Sequence, residues 1–228
     1  MAGQKIPGAK ELANGSWAIS LELDQGVLGP SVLLILSKLA QEGVKIHPTT
    51  AQKILLLDIP KDKVEDYLAR LEKAGALIRK VSPSFQPRIC LGKPYCYLAL
   101  GETFPLAQAI YHRFRGHPVP HKFKVAVAGC PACCSWANMV DLGFIAIKSG
   151  YKVAVGGKGG YHPQPGKILG RVSSTEEALL FMEAVLEFFN RFGRPRRRLA
   201  TVIEEVGLGP LMEILKRVPA LKMYDQNV

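Results

Sequence analysis

The distribution of apolar and polar positions along the first third of the chain predicts six secondary-structure elements. Residues 17–23 alternate as a strand does, with every second side chain apolar. Residues 31–41 instead place their apolar side chains on one helical face, after Gly29-Pro30 and before Gly43. Residues 54–59 are an apolar run bounded by Pro60, which predicts a buried strand, and residues 61–74 carry apolar side chains at helical spacing and predict a helix that stops at Gly75. Short strands are predicted over 44–47 and 77–81. The first third therefore has the order β-α-β-β-α-β.

This order is that of a ferredoxin-like split unit, so we predict an α+β fold that begins with a ferredoxin-like half-domain. Residues 1–14 are rich in Gly, Ala and Lys, and we expect a loose arm there. The Pro- and Ser-bearing segment 82–87 (SPSFQP) is the best domain boundary in the chain. We therefore expect one domain over residues 1–81 and a second over residues 82–228.

The second domain is also predicted to contain both helices and strands. We predict a strand over 121–129, a hairpin formed by 144–147 and 151–155, and a helix over 103–114. Ser174 and Glu177 form a capping box, which opens a helix that runs to about Phe192. Two short helices, about 199–206 and 211–216, complete the prediction. The second domain is thus also expected to be α+β.

Hydrophobic content and net charge limit the expected cellular location and partners of this protein. Of the 228 residues, 48% are hydrophobic, which is ordinary for a globular protein. The longest apolar run is too short to span a bilayer, and the chain starts without a cleavable leader, so we expect a cytoplasmic protein without a membrane partner. The net charge of +11 calls for an anionic partner. Because the charge recurs in short sets and not in one basic tract with interleaved aromatics, we expect no nucleic acid.

Five cysteines carry the candidate chemistry. They group as Cys90-x5-Cys96 and as Cys130-x3-Cys134, with Cys133 left over as a spare. Four soft thiolates on two short loops suit an iron–sulfur cluster or zinc, although zinc sites usually show tighter pairs and often histidine. A disulfide framework fits poorly because the cysteine count is odd, and some of these thiols could be small buried hydrophobes.

The pattern C-x5-C … G-C-P-x-x-C resembles the signature of the sulfite and nitrite reductase family, which carries a [4Fe-4S] cluster coupled to siroheme. The resemblance implies that Cys90, Cys96, Cys130 and Cys134 hold the cluster. It also implies that Cys134 faces the siroheme iron. Siroheme, with its peripheral carboxylates, and a small oxyanion would both use the positive charge of the chain.

The same resemblance implies a substrate site. Lys122 and Lys124, just before the cluster cysteines, resemble the family's sulfite-binding lysine pair, and Arg88 lies two residues before Cys90 as a substrate-binding arginine does. These three residues are the expected oxyanion-binding and catalytic groups. The alternatives are a strand edge that carries lysines against aggregation and an ordinary surface arginine.

In the half-domain, the family has an Arg-x-Thr-x-Arg-Gln-like segment that holds siroheme carboxylates. The corresponding stretch here has His47, Thr50, Ala51 and Gln52, so both arginines are replaced. The resemblance implies that His47, Thr50 and Gln52 bind the cofactor, with Lys45 on the same strand face replacing one charge. The alternative is that Thr49 and Thr50 only shape a turn after Pro48.

A glycine-rich turn at residues 156–160 completes the set. It is not a P-loop, because the spacing is wrong and Ile168 stands where Ser or Thr is needed. A similar Gly-Gly-Lys segment in the family implies that Gly157, Lys158 and Gly159 bind siroheme carboxylates. A flexible hairpin exit is the alternative.

The resemblance covers nearly the whole chain, which contains one copy of a module that larger members contain twice. It implies a six-electron reduction of sulfite to sulfide, or alternatively of nitrite, with electrons from an acidic donor such as a ferredoxin. A cluster-binding electron-transfer or assembly subunit without turnover is the other hypothesis. A homo-oligomer could replace the missing second copy.

Overall fold

The computed structural model describes residues 6–80, 84–218 and 222–223. Residues 1–5 of the expected arm, the end of the predicted strand 77–81 and the first two residues of the connector lie outside the described residues. The chain divides into two compact units, residues 1–82 and 83–228. Each unit is described by itself.

The first unit contains the predicted β-α-β-β-α-β order. Its strands are β1 (Ala9–Glu11), β2 (Trp17–Glu22), β3 (Lys45–Pro48), β4 (Lys53–Ile59) and β5 (Leu77–Ile78). Its helices are α1 (Pro30–Gln41) and α2 (Val64–Lys73), and a 3-10 turn, Lys61–Lys63, precedes α2. The expected loose arm is wrong over β1, which pairs antiparallel with β2. Its three residues, Ala-Lys-Glu, show no apolar alternation from which a strand could be predicted.

The strands of this unit form one antiparallel sheet with the order β1-β2-β4-β3, and β5 also pairs with β2. This is the ferredoxin-like arrangement that the sequence predicts. The inward side chains of β2 and β4, such as Ile19 and Leu56, are fully buried with Leu39 of α1 and Leu71 of α2. The sheet and its two helices therefore share one apolar core.

Within its described residues, the second unit has six strands and four α-helices. Its strands are β6 (Arg88–Ile89), β7 (Val125–Ala128), β8 (Leu142–Ile147), β9 (Gly150–Val155), β10 (Lys167–Val172) and β11 (Lys222–Met223). Its helices are α3 (Phe104–Phe114), α4 (Thr175–Phe192), α5 (Leu199–Val206) and α6 (Gly209–Lys216). The hairpin of β8 and β9 and the Ser174 cap of α4 are confirmed. The α+β class is confirmed for the chain.

The strands of the second unit lie in the order β11-β10-β9-β8-β7-β6. β6, β7 and β8 are parallel neighbours, whereas the remaining pairs are antiparallel. α3 and α4 cover one face of this sheet with a large apolar cluster that includes Phe181, Phe188 and Phe189. The parallel edge matters for function, because parallel strands end at the same edge of a sheet.

In the second unit the strand predictions differ from the structure at β7 and β10, and β6 and β11 are likewise absent from the prediction. The strand predicted over 121–129 is only Val125–Ala128, because the backbone N–H of Lys124 donates to the Asp141 carboxylate and not to a neighbouring strand. β10 is missing from the prediction because its burial does not alternate and a bulge lies between Ile168 and Gly170.

The two faces of β7 have different neighbours. Val125 and Val127 belong to the helix-covered cluster, whereas Ala126 and Ala128 pack under a short 3-10 turn, Ala137–Met139. Arg88 of β6 is in register with Ala126, so it shares the alanine face. By alternation Lys124 also belongs to this face. We call it the alanine face.

Candidate metal centre and anion site

The two cysteine loops begin where the parallel strands β6 and β7 end. Cys90 directly follows β6, and Cys130 follows β7 after one residue, Gly129. A Cβ atom on Gly129 would lie 2.7 Å from the Cα atom of Gly92, so glycine at both positions allows the loops to touch. The sequence-predicted ligands Cys90 and Cys130 are therefore brought to one edge of the sheet.

Backbone hydrogen bonds join the first loop to the second. The N–H of Leu100 donates to the carbonyl of Gly129 at 2.7 Å, and the N–H of Gly129 donates to Cys90 Sγ at 3.0 Å. The hydroxyl of Thr103 donates to the carbonyl of Cys90 at 2.7 Å. An N–H aimed at sulfur stabilises a thiolate, as the sulfur ligands of clusters require.

The second loop is held by its backbone and by one serine. The Ser135 hydroxyl, which is buried, donates to the carbonyl of Val127 at 2.9 Å. Cys133 and Trp136 adopt left-handed backbone with φ of 57° and 59°. Bulky residues rarely adopt this conformation, and such outliers cluster at functional sites. The loop conformation is thus constrained around Cys134.

The five thiols differ in exposure. Cys130 is buried, Cys90, Cys96 and Cys133 are half-buried, and Cys134 is exposed. The Asn138 N–H donates to Cys133 Sγ at 3.3 Å, and burial is the main cause that raises the pKa of Cys133. Cys133 also packs beside Ala126 and Ala128. These contacts suit the interpretation of Cys133 as a small buried side chain.

Within the described residues, no three His, Cys, Asp or Glu side chains converge closely enough to hold a single metal ion. What the structure does bring together is the pair of cysteine loops, each presenting thiols at the edge where β6 and β7 end. The described part of the chain also has no helix long and apolar enough to cross a membrane.

Cations gather near the starts of β6, β7 and β8, at the opposite ends of these strands from the cysteine loops. Burial and the charge of Arg198 lower the pKa of Arg88. Burial, Arg198 and Arg88 lower the pKa of Lys124, and burial, Lys122 and Arg198 lower the pKa of His121. Arg88, Lys124 and Arg198 therefore lie close enough to repel one another. The charges of both Lys122 and Arg198 act on His121, so Lys122 lies near the same group of cations. In the described part of the chain, Arg88, Lys122 and Lys124 form no ion pair with a carboxylate.

Asp141 is the acidic residue of this cluster. It is fully buried at the start of β8, and its carboxylate accepts hydrogen bonds from Arg198 Nε at 3.0 Å and Nη2 at 2.5 Å. The same carboxylate accepts the backbone N–H of Lys124 at 2.7 Å. Asp141 therefore fixes both the start of α5 and the segment that carries Lys124.

Arg88 has an aromatic neighbour from the second cysteine loop. Its guanidinium carbon lies 5.2 Å from the ring centroid of Trp136, within the range of a cation–π contact. Trp136 remains half exposed, at 51%. Arg88, which the sequence predicts to bind an anion, is therefore in direct contact with the second cysteine loop.

The glycine-rich turn lies behind the second cysteine loop. A Cβ atom on Gly157 would lie 2.6 Å from the carbonyl oxygens of Asn138 and Val140, so Gly157 is needed for close packing. Lys158 forms an ion pair with Glu204 of α5 at 3.1 Å, and Gly159 has open space around it. The structure thus gives Gly157 and Lys158 internal partners in addition to any role toward a cofactor.

The predicted cofactor residues of the first unit lie on β3 and the turn that follows. Lys45 forms an exposed ion pair with Asp58 at 2.9 Å, and His47 is exposed. Thr49 Oγ1 accepts the N–H of Lys53 at 3.2 Å, and the N–H of Gln52 donates to the carbonyl of Thr49 at 3.1 Å. Thr50 and Gln52 therefore belong to a hydrogen-bonded turn, as the alternative interpretation expects.

Sequence reasoning missed three residues of the site: Asp141, Arg198 and Trp136. The sequence did contain a sign that Asp141 is important, because it is the sole acidic residue between Glu102 and Glu176. Arg198 was hidden within the basic run Arg194–Arg198. Trp136 had no recognisable signal, because its partner Arg88 lies far away in the sequence.

The residues present fit an iron–sulfur cluster with an anionic cofactor beside it. Thiols from two touching loops are soft ligands, and one sulfur already accepts a backbone N–H. Both side-chain amide atoms of Gln86, two residues before Arg88, are buried without a hydrogen-bond partner among the described residues. A buried amide of this kind normally has a partner, so it also suits a polar group bound near the start of β6.

Comparison with known proteins supports this interpretation. Residues 83–220 match the family described as the nitrite and sulphite reductase 4Fe-4S domain. The assimilatory-type sulfite reductase of Nitratidesulfovibrio vulgaris is 29% identical over 85% of this chain and 89% of that protein. The nitrite reductase [NAD(P)H] of Bacillus subtilis is 29% identical over 75% of this chain, but this covers only 21% of that protein.

Two solved structures share the fold. Mycobacterium tuberculosis NirA superposes with a TM-score of 0.74 and 24% identity, covering 92% of this chain and 42% of that one. Dissimilatory sulfite reductase I superposes with a TM-score of 0.75 and 16% identity, covering 88% of this chain and 69% of that one. At these identities the likeness concerns the fold.

Proposed function

We propose that this chain, which belongs to the nitrite and sulphite reductase 4Fe-4S family, is a siroheme-dependent reductase that converts sulfite into sulfide. The cofactors of this family are a [4Fe-4S] cluster and siroheme. The observation that carries the proposal is that two cysteine loops meet where β6 and β7 end, while the alanine face leading to them carries cations that have no carboxylate partner among the described residues. A cluster site alone would not require Arg88, Lys122 and Lys124 beside it.

In the proposed enzyme, Cys90, Cys96, Cys130 and Cys134 would hold the cluster, and the exposed Cys134 would be the thiol nearest to siroheme. When bound, the cofactors would relay single electrons from the external donor to the sulfur atom. Six electrons and six protons convert sulfite into sulfide and three waters. The remaining tasks, which are binding the oxyanion and delivering protons, belong to side chains of this chain.

Arg88, Lys122 and Lys124 are proposed to bind the oxyanion. Their positive charges are not cancelled by ion pairs with carboxylates in the described part of the chain, so they are available to an anion. Lys124 has a lowered pKa, caused first by burial and then by Arg198 and Arg88. A lysine with a lowered pKa gives up its proton more readily, so Lys124 suits proton delivery as S–O bonds break.

The alternative that the chain carries a cluster without turnover has one supporting observation. Lys45 and Lys158, expected to meet siroheme carboxylates, form ion pairs with Asp58 and Glu204. An absorption spectrum of the purified protein decides between the two functions. Siroheme gives an intense Soret band and long-wavelength bands, whereas a cluster alone gives a broad weak shoulder, and the latter result would reject the reductase proposal.

Substrate choice and partners are part of the proposal. The relatives include both sulfite and nitrite reductases, so kcat/KM should be measured for both anions with the cofactor-loaded protein. The net charge of +11 favours an acidic electron donor of the ferredoxin type, whose reaction rate should fall as salt is raised. We further propose a homo-oligomer, which light scattering would reject by giving the 24.9 kDa mass of one chain.

A further inference from the structure

Arg88 occupies an unusual environment for a guanidinium. It is half-buried, Arg198 repels it, and its pKa is lowered mainly by burial. Buried guanidinium groups are normally paired with carboxylates, and Arg88 forms no such pair within the described residues. Something other than an anion must therefore hold its long side chain in place before a ligand binds.

Trp136 is the side chain that meets this need. The ring centroid lies 5.2 Å from the guanidinium carbon of Arg88, and tryptophan is the aromatic residue that attracts a cation most strongly. Trp136 is 51% exposed, so the contact with Arg88 does not bury it from solvent. The indole thus supplies an attractive surface that consumes none of the N–H donors of Arg88.

The backbone of Trp136 is constrained to present the ring. Its left-handed conformation, φ 59° and ψ 37°, is disfavoured for a bulky side chain. It persists because the N–H of Trp136 donates to the carbonyl of Cys133 at 2.7 Å, while its carbonyl accepts the N–H of Met139 at 2.8 Å. Strain maintained in this way at a single loop position points to a function for the side chain.

We propose that Trp136 is a positioning residue that holds Arg88 in its anion-binding orientation and so sets the affinity of the site for sulfite. Because Trp136 belongs to the loop that carries Cys134, the contact also ties the anion site to the candidate metal centre. The proposal rests on the proposed function for one point, the assignment of Arg88 to the anion site.

The test is an equilibrium titration of cofactor-loaded protein with sulfite. Trp136→Leu should weaken sulfite binding by about five- to tenfold, whereas Trp136→Phe, which keeps an aromatic face, should weaken it about twofold. KM should rise more than kcat falls, because the ring acts on binding. Tyr161→Leu, which removes another exposed aromatic side chain in the same unit, serves as the matched control and should leave the affinity unchanged.

Trp136→Gly separates positioning from a purely structural role. Glycine suits left-handed backbone, so this variant should retain or gain resistance to urea while losing sulfite affinity. If Trp136 only supported the fold, stability and affinity would fall together. That result would overturn the proposal.

A double-mutant cycle with Arg88→Gln gives the decisive measurement. Adding Trp136→Leu to Arg88→Gln should change the sulfite affinity less than twofold, because the residue that the ring positions is already gone. An equal loss in both backgrounds, or no loss in the wild-type background, would contradict the positioning role. If Arg88→Gln binds sulfite normally, the inference also fails, whereas wild-type protein that binds no sulfite would reject the proposed function itself.

Discussion

The carboxylate of Asp141 binds the guanidinium of Arg198 through two hydrogen bonds, from Nε at 3.0 Å and from Nη2 at 2.5 Å. Asp141 is completely buried, whereas the side chain of Arg198 retains 21% of its exposure. The two partners are therefore not equivalent. If the pair is broken, Arg198 can turn toward water, but Asp141 cannot.

We expect Arg198→Met to cost about 2–4 kcal/mol of unfolding free energy, because among the described residues it leaves the buried carboxylate with only the Lys124 N–H as partner. Asp141→Asn should cost less, since the amide oxygen can still accept that N–H and no charge remains buried. Urea unfolding of the purified variants measures both values.

Arg197→Met is the matched control. Arg197 is the preceding residue, and its exposed ion pair with Glu205 at 3.5 Å contributes about 0–1 kcal/mol. A loss for Arg198→Met no larger than that of Arg197→Met would show that the buried pair does not stabilise this unit.

Cluster retention should depend on four cysteines. Replacing Cys90, Cys96, Cys130 or Cys134 by serine removes a soft ligand, so iron and acid-labile sulfide in the purified protein should fall sharply. Cys133→Ser should retain near-normal amounts, because Cys133 packs beside Ala126 and Ala128 and lies outside the predicted ligand set. Loss of the cluster only in the Cys133 variant would refute the ligand assignment.

Substitutions in the glycine-rich turn test whether its glycines are needed for packing, as distinct from cofactor binding. A methyl group on Gly157 would approach two backbone oxygens at 2.6 Å, so Gly157→Ala should destabilise the protein by about 1–3 kcal/mol. Gly159→Ala meets nothing within 4 Å and should be neutral or slightly stabilising. Thermal unfolding of the two variants makes the comparison, and equal behaviour would mean that the turn is not packed as described.

Lys122 and Lys124 should be needed for turnover and not for cofactor content. Each places a positive charge near the proposed oxyanion, and removing one such group typically costs about 2–4 kcal/mol of transition-state stabilisation. Lys122→Ala or Lys124→Ala should thus lower the sulfite turnover by roughly a hundredfold or more. Phe123→Leu, whose side chain is buried among the core aromatics, should reduce stability more than rate. Near-normal turnover with full cofactor content in both lysine variants would favour an ordinary strand edge.

Much of the fold follows from local patterns. Period-2 alternation identifies β2, an apolar run bounded by Pro60 identifies β4, and helical spacing identifies α1 and α2. The Ser174 cap, which predicts α4, is where the sequence places it. The alternation of Lys122, Phe123 and Lys124 also predicts that Phe123 is the buried member. Such predictions succeed because the residues that form each pattern all lie within one helix or strand.

The site depends on contacts that no local pattern records. Asp141 and Arg198 are 57 positions apart, and Lys158 and Glu204 are 46 apart. The sequence could therefore identify the cysteine loops by their spacing, but not the buried carboxylate that fixes Lys124. It also could not show that Lys158 already has a carboxylate partner. Ion pairs formed by tertiary packing determine which cations are free to bind an anion.

The pH dependence of sulfite binding should report the environment of Lys124. Burial, followed by the charges of Arg198 and Arg88, lowers the pKa of Lys124 below its ordinary value of 10.5. The ammonium form binds the anion, so affinity should be highest below this lowered pKa and should fall as pH rises through it, before an ordinary lysine would titrate. Lys124→Arg keeps its charge to higher pH and should remove this alkaline decline. Sulfite titrations of cofactor-loaded protein across the alkaline range make the measurement. If the wild type and Lys124→Arg showed the same decline, another group would be responsible and Lys124 would not contact the anion.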